Sequence, residues 1–215
     1  MVAPLLATKL YIPSLRRSLV RRPRLLEHLD QGLRRKLTLV SAPAGFGKTT
    51  LVAEWVRDLE EGHSPEVKVA WVSLDSGDDE PARFFAYLSA AVERAGTGLW
   101  QDNGETLEPT GLVALESPLV ELINRVAVWP VAILLVLDDY HLISTPQIHE
   151  GMAFLLEHQP HNLHLVIATR ADPPLPVFRL RARSQLTELR SDDLRFTADE
   201  ATTFLNRVME LNLSL

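Results

Sequence analysis

Short apolar runs alternate along the chain with stretches in which apolar residues recur every three or four positions, the two patterns that separate strands from amphipathic helices. Leu37-Thr38-Leu39-Val40 is a strand-like run, and Leu51, Val52, Trp55, Val56 and Leu59 follow it at helical spacing. Val67 to Leu74 has the β-branched and aromatic content of a second strand. Asp79-Glu80-Pro81 opens a helix with the stripe Phe84, Phe85, Leu88, Ala91, Val92 and Ala95, and the polar, glycine-bearing stretch 96–111 predicts a long surface loop. Ser117-Pro118 reads as an N-cap with proline at the first helical position, ahead of Leu119, Leu122, Ile123 and Val126. Val131 to Leu137 is continuously apolar, as expected of a central parallel strand covered on both faces. Thr145-Pro146 starts a helix carrying Ile148, Met152, Leu155 and Leu156; Leu163 to Ala168 is the next strand and Leu186 to Leu189 a fifth. Thr197 and Glu200 form a capping box before Ala201, Phe204, Leu205 and Val208.

Strands alternating with helices predict a doubly wound α/β sheet with helices on both faces. In such sheets a ligand sits at the carboxyl ends of the strands. The polar residues expected there are those after Val40, the pair Asp138-Asp139, and Thr169-Arg170.

Composition narrows the class. With 215 residues, 46% of them hydrophobic, the chain is long enough for one large domain and cramped for two. It has no cysteine, which excludes disulfides and thiolate metal sites and fits a cytoplasmic setting. No signal peptide is visible. The most apolar window, Val126 to Leu137, contains Pro130, falls far short of the roughly 20 residues that span a bilayer, and reads as a buried strand. The net charge of −6 argues against the whole chain binding nucleic acid, yet residues 1–36 carry nine Lys/Arg against two acids. This basic arm, with Arg16, Arg17, Arg21, Arg22 and Arg24, is expected to be solvated or to line a nucleotide site. His158, His161 and His164 lack the spacing and acidic neighbours of a metal site.

The most specific chemistry lies in SAPAGFGKTT, residues 41–50. A phosphate-binding loop reads G-x-x-x-x-G-K-[ST], and Ala42-Pro43-Ala44-Gly45-Phe46-Gly47-Lys48-Thr49 departs from it only at the first position. Gly45 and Gly47 supply the Cβ-free positions that let backbone N–H groups curl around an anion. Lys48 is then placed for β- and γ-phosphates, Thr49 for Mg²⁺, and the following helix aims its positive end at the same phosphates. The competing reading is an ordinary glycine-bearing turn, but G-x-G-K-T-T between a strand and a helix is much rarer than such turns.

An apolar run that ends in aspartate is the second half of this signature. Asp138 is the expected magnesium carboxylate. Asp139 stands where a residue that polarises the attacking water is expected, one methylene shorter than glutamate. Arg170, just past the fourth strand, is either a surface arginine or a contact to the γ-phosphate. Thr169-Arg170-Ala171-Asp172 faintly echoes the guanine-reading motif of GTPases, but Asp138-Asp139-Tyr140-His141 has histidine where D-x-x-G requires glycine, so adenine is favoured.

Taken in order, LLATKLYIP, LVRRPRLLEHL, LVSAPAGFGKTT, LVLDDYH, LVIATRADPPLP and LRARSQLTELRSDDLRFTADEA resemble the nucleotide-binding domain of the MalT-like regulators. These are large ATP-binding, LuxR-type bacterial transcription factors of the STAND class of P-loop ATPases. The resemblance covers most of residues 5–210, and an alanine-first loop is common in that family. It implies a three-layer αβα P-loop NTPase with a mainly parallel five-stranded sheet, ATP or ADP with Mg²⁺ as cofactors, and slow hydrolysis serving a switch. The switch rests with ADP and self-associates when inducer and ATP are bound. By the same resemblance Ala42 to Thr50 hold the phosphates, Thr49 and Asp138 the metal, Asp139 the water, Arg170 senses the γ-phosphate, and Arg21 and Arg22 lie at the mouth of the adenine pocket.

The implied organisation is a basic arm over 1–24, the nucleotide-binding domain over 25–195, and the start of a helical region over 196–215. A winged helix, a repeat-rich sensor and a DNA-binding helix-turn-helix are expected beyond Leu215, which makes the chain a fragment or isolated module. Two alternatives stay open, an AAA-type ATPase module and an interaction domain that keeps the fold without nucleotide.

Overall fold

The computed structural model describes residues 4–15, 19–62, 67–96 and 116–207. A 3-10 turn, Ala7–Leu10, precedes α1 (Pro23–Gly32), β1 (Leu37–Ser41), α2 (Lys48–Glu61), β2 (Val67–Ser73), α3 (Pro81–Ala95) and α4 (Glu116–Ala127). Then come β3 (Ala132–Asp138), α5 (Pro146–His158), β4 (Leu163–Thr169), α6 (Val177–Ala182), β5 (Leu186–Arg190), α7 (Ser191–Leu194) and α8 (Ala198–Arg207). All five expected strands are present, to within a residue at their ends. Past Gly96 the expected loop lies outside the described residues, as do Arg16, Arg17, the side chain of Ser117, and Val208.

The strands form one parallel sheet in the order β2-β3-β4-β1-β5. From β1 the chain crosses to the far edge at β2, then returns through β3 and β4 and passes over β1 to β5. Right-handed crossovers put helices of opposite travel on opposite faces. Accordingly α2 packs with α1 on one face, where Trp55, Val56, Leu25 and Leu29 cover Val40, Val136 and Val166. The return connections lie on the other, where Phe84, Leu88, Leu122, Met152 and Leu155 cover Leu39, Leu135 and Ile167. The architecture is therefore the three-layer αβα sandwich that the alternating pattern predicts.

Val126 to Leu137 is not a single strand: Val126 belongs to α4, and β3 starts only at Ala132. Hydrophobicity alone does not distinguish the end of a buried helix from the start of a buried strand. The break at Pro130 is pinned by the Asn162 side-chain amide, which donates to the carbonyls of Val126 at 2.6 Å and Trp129 at 3.0 Å.

Before α1 the chain runs along β2, where Lys9 is held by Asp75 and Asp78, each at 2.6 Å, and lies over the Tyr87 ring. Asp79 accepts from the amides of Ser144 at 2.9 Å and Thr145 at 2.8 Å, tying the loop after β2 to the start of α5. The capping box is formed, Thr197 N to Glu200 Oε2 at 3.0 Å and Glu200 N to Thr197 Oγ1 at 3.2 Å. Among the described residues no helix is long and apolar enough to cross a membrane.

Candidate nucleotide site

The sheet reverses its direction of travel between β1 and β4, and the carboxyl ends of these two strands and of β3 converge there. Ala42 is buried and its amide donates to Thr169 O at 3.2 Å, which fixes the start of the 42–47 loop to β4. Gly45 and Gly47 have φ of +83° and +75°, the left-handed region in which a side chain is strained. The amides of Ala44, Gly45 and Gly47 donate to no backbone carbonyl. These unmet donors at the head of α2, with an open outer face, form a concavity of the kind that takes an anion.

Lys48 is buried, and its ammonium donates to Ala42 O at 2.8 Å and Pro43 O at 3.0 Å, spanning the loop from within. Burial lowers its pKa; Asp139 and Asp138 oppose that and Arg170 adds to it. Thr49 Oγ1 donates to Asp138 Oδ1 at 3.0 Å. Asp138 is 4% exposed, and burial pushes its carboxyl up to about 6 against the pull of the Thr49 bond. A divalent cation there would favour the ionised form, so this buried carboxylate beside a hydroxyl suits a hard metal.

Asp139 follows in the left-handed region at φ +58°, unusual for a residue other than glycine. Its amide donates to Asp138 Oδ1 at 3.0 Å, and its own carboxylate faces outward. Arg170 is exposed at the end of β4. The structure thus brings Lys48, Thr49, Asp138, Asp139 and Arg170 to one place.

It separates Arg21 from Arg22. Arg21 pairs with Asp58 on the outer side of α2. Arg22 is buried, donates to the carbonyls of Leu194 at 2.7 Å and Arg195 at 3.1 Å, and lies 3.4 Å from Glu200. It closes a cavity of about 590 Å³ beside the loop, walled by Leu15, Val20, Phe46, Leu194, Phe196 and Phe204. Thr50 reaches the same cavity. Of the two only Arg22 lines the cavity, and it does so as the clamp between arm and α8.

Two residues at the site escaped the sequence reading. Glu54, one turn beyond Thr50, is buried in the cavity wall, and burial raises its pKa. A lone acid within Leu51-Val52-Ala53-Glu54-Trp55-Val56 was the available signal. His141, two positions after Asp139, has its Nδ1 3.7 Å from Asp139 Oδ1. Its place in the turn just past β3 is the signal. His164 is structural, bridging Arg35 O at 2.6 Å and Thr38 Oγ1 at 2.9 Å.

No protein-family model matches the chain. The helix-turn-helix-type transcriptional regulator MalT of Cronobacter sakazakii is 40% identical over 202 residues, 94% of this chain and 22% of the regulator. MalT of Yersinia enterocolitica is 38% identical with the same shares. The chain thus spans about a fifth of the length of the curated relatives it matches. Among solved structures, Cdc6p of Pyrobaculum aerophilum matches with a TM-score of 0.59 at 15% identity, over 93% of this chain and 52% of that one. The ORC1 protein of Aeropyrum pernix, solved in complex with DNA, gives 0.59 at 21% identity over 87% and 48%. A STAND protein with a tetratricopeptide-repeat sensor from Pyrococcus horikoshii gives 0.54 at 14% identity over 94% and 27%. At these identities the structural likeness speaks for the fold alone.

Proposed function

We propose that this chain, which is 38–40% identical to MalT regulators over about a fifth of their length and shares the αβα fold of P-loop proteins, is the adenine-nucleotide switch domain of such a regulator. The observation that carries the reading is the junction of two distant motifs: the loop 42–49, with unmet amides and the Lys48 ammonium, meets Asp138 through Thr49.

In this reading the loop amides and Lys48 bind the β- and γ-phosphates, and Thr49 with Asp138 holds Mg²⁺. The metal supplies charge neutralisation on the phosphates. Asp139 orients and polarises water, Arg170 contacts the γ-phosphate, and the apolar cavity closed by Arg22 takes adenine. The arm, clamped at Lys9 and at Arg22, forms one wall of that cavity, so its closure over the base links nucleotide to the region after β5. Self-association in the ATP state, DNA binding through a helix-turn-helix outside residues 1–215, and a cytoplasmic setting belong to the same proposal for the whole regulator.

The test is the affinity of the purified chain for ATP, ADP and GTP with and without Mg²⁺. Adenine nucleotides binding in preference to GTP, with ATP binding strengthened by Mg²⁺, supports the switch. Turnover that rises steeply with ring assembly would instead favour an AAA-type motor. No binding of any nucleotide would leave an interaction domain that keeps only the fold.

A further inference from the structure

Resting on the nucleotide reading above, we infer that His141 is a positioning residue that holds Asp139 and Arg170 in register across the ends of β3 and β4. Its side chain is 13% exposed, and neither ring nitrogen has a hydrogen-bond partner although both are shielded from solvent. Such buried, unmet polar atoms are uncommon and call for an explanation. The turn that carries it, Tyr140–Leu142, is fixed from the core side: Tyr140 is buried against Phe84, and its hydroxyl meets His149 Nδ1 at 2.9 Å. The freedom that remains lies in the side chains of His141, Asp139 and Arg170.

The surroundings define what the ring meets. Nδ1 is 3.7 Å from Asp139 Oδ1, just beyond hydrogen-bond range. Arg170, Asp139 and Lys48 are the charges that act on the imidazole. Burial and Arg170 favour its neutral form, which has one N–H and one lone pair. In the inferred role Nδ1–H is the donor toward the Asp139 carboxylate, 3.7 Å away, and Nε2, which meets no partner, is the free acceptor for the Arg170 guanidinium. A neutral ring between a carboxylate and a guanidinium fixes the direction of both without adding charge to the space before Lys48. Arg170 directly follows β4, which pairs with β3 ahead of this turn, and among the described residues no ion pair restrains it.

The experiment titrates ADP and a non-hydrolysable ATP analogue, each with Mg²⁺, into the wild-type chain and into His141→Ala, Arg170→Ala and the double variant, with circular dichroism confirming the fold. His141→Ala is expected to weaken the ATP analogue about ten-fold and to leave ADP within about two-fold, the scale of one hydrogen bond to a charged group. The double variant loses no more than Arg170→Ala alone. His141→Gln, whose amide offers both a donor and an acceptor, restores most of the loss, and His141→Leu restores none. Additive losses in the double variant, equal losses for both nucleotides, or unchanged ATP-analogue affinity would overturn the inference while leaving the nucleotide site standing. Failure of the wild-type chain to bind either nucleotide overturns the reading beneath it, and this one with it. Should His141→Ala unfold, the Gln and Leu pair decides: equal behaviour of the two overturns the assignment.

Discussion

The hydroxyl of Thr49 at the head of α2 donates to the carboxylate of Asp138 at the end of β3 across 3.0 Å, joining residues 89 positions apart. The contact exists because the sheet order places β3 two strands from β1 with the carboxyl ends of both facing the same way. It sets a hydroxyl and a buried acid together at the mouth of the 42–47 loop, an arrangement that suits a hard metal ion.

Asp139 is the neighbour of that pair but not part of its bond: its amide, not its carboxylate, meets Asp138 Oδ1, and its carboxylate is partly exposed. Asp139→Asn is therefore expected to keep Mg²⁺-dependent ATP binding and to lose most of the slow turnover. Phosphate release measured under saturating ATP checks this; equal turnover in wild type and variant would assign the polarising role elsewhere.

Lys9 anchors the arm by neutralising Asp78, a carboxylate with 0% side-chain exposure. Removing one partner of a buried pair leaves the other charge uncompensated. Lys9→Met should cost about 3 kcal/mol of stability, at the low end of the usual range because Arg83 at 3.3 Å remains near Asp78. Urea denaturation reads the loss, and a change below about 1 kcal/mol would show that the arm is not held there.

His164 makes stability depend on pH. Burial holds it neutral and lowers its pKa to about 4, against the bond to Arg35 O and an unfolded value near 6.5. As pH falls the unfolded state takes up the proton first, so stability is lost progressively from about pH 6.5 to about pH 4 and levels off below. His164→Gln, uncharged throughout, should flatten the decline of the urea midpoint in that window. An equal decline in both proteins would assign it to other groups. Asp79 does not interfere there, since hydrogen bonds from Ser144 and Thr145 hold it down to about 2 against desolvation. Asp138, raised to about 6, adds stability as pH falls through the window in both proteins alike, so the difference between wild type and variant is the readout.

The layers of the fold were legible in the sequence, as was the gathering of polar residues at the strand ends, because each rests on a local pattern. Leu37 to Val40 and Val131 to Leu137 are apolar runs that stop at polar residues, and parallel strands place such stops on one edge. Glu54 and His141 were not legible as site residues. Glu54 lies in a helix whose spacing explains its neighbours without it, and only the fold of the arm and of Phe196 around it makes a cavity there. The fates of Arg21 and Arg22, adjacent in sequence, diverge because Leu194 and Glu200 arrive from more than 170 positions away to hold one of them.

Titration calorimetry of ATP and ADP into the wild-type chain and into Lys48→Ala, both with Mg²⁺, tests the central claim most directly. Lys48 places the one buried ammonium of the loop, bridging Ala42 O and Pro43 O, where phosphate charge would be offset. The account predicts tight binding to the wild-type chain and loss of at least about 100-fold in the variant, the scale of a lost charge-assisted contact in a site shielded from water. Unchanged affinity in Lys48→Ala would contradict the phosphate-loop assignment and the nucleotide switch built on it.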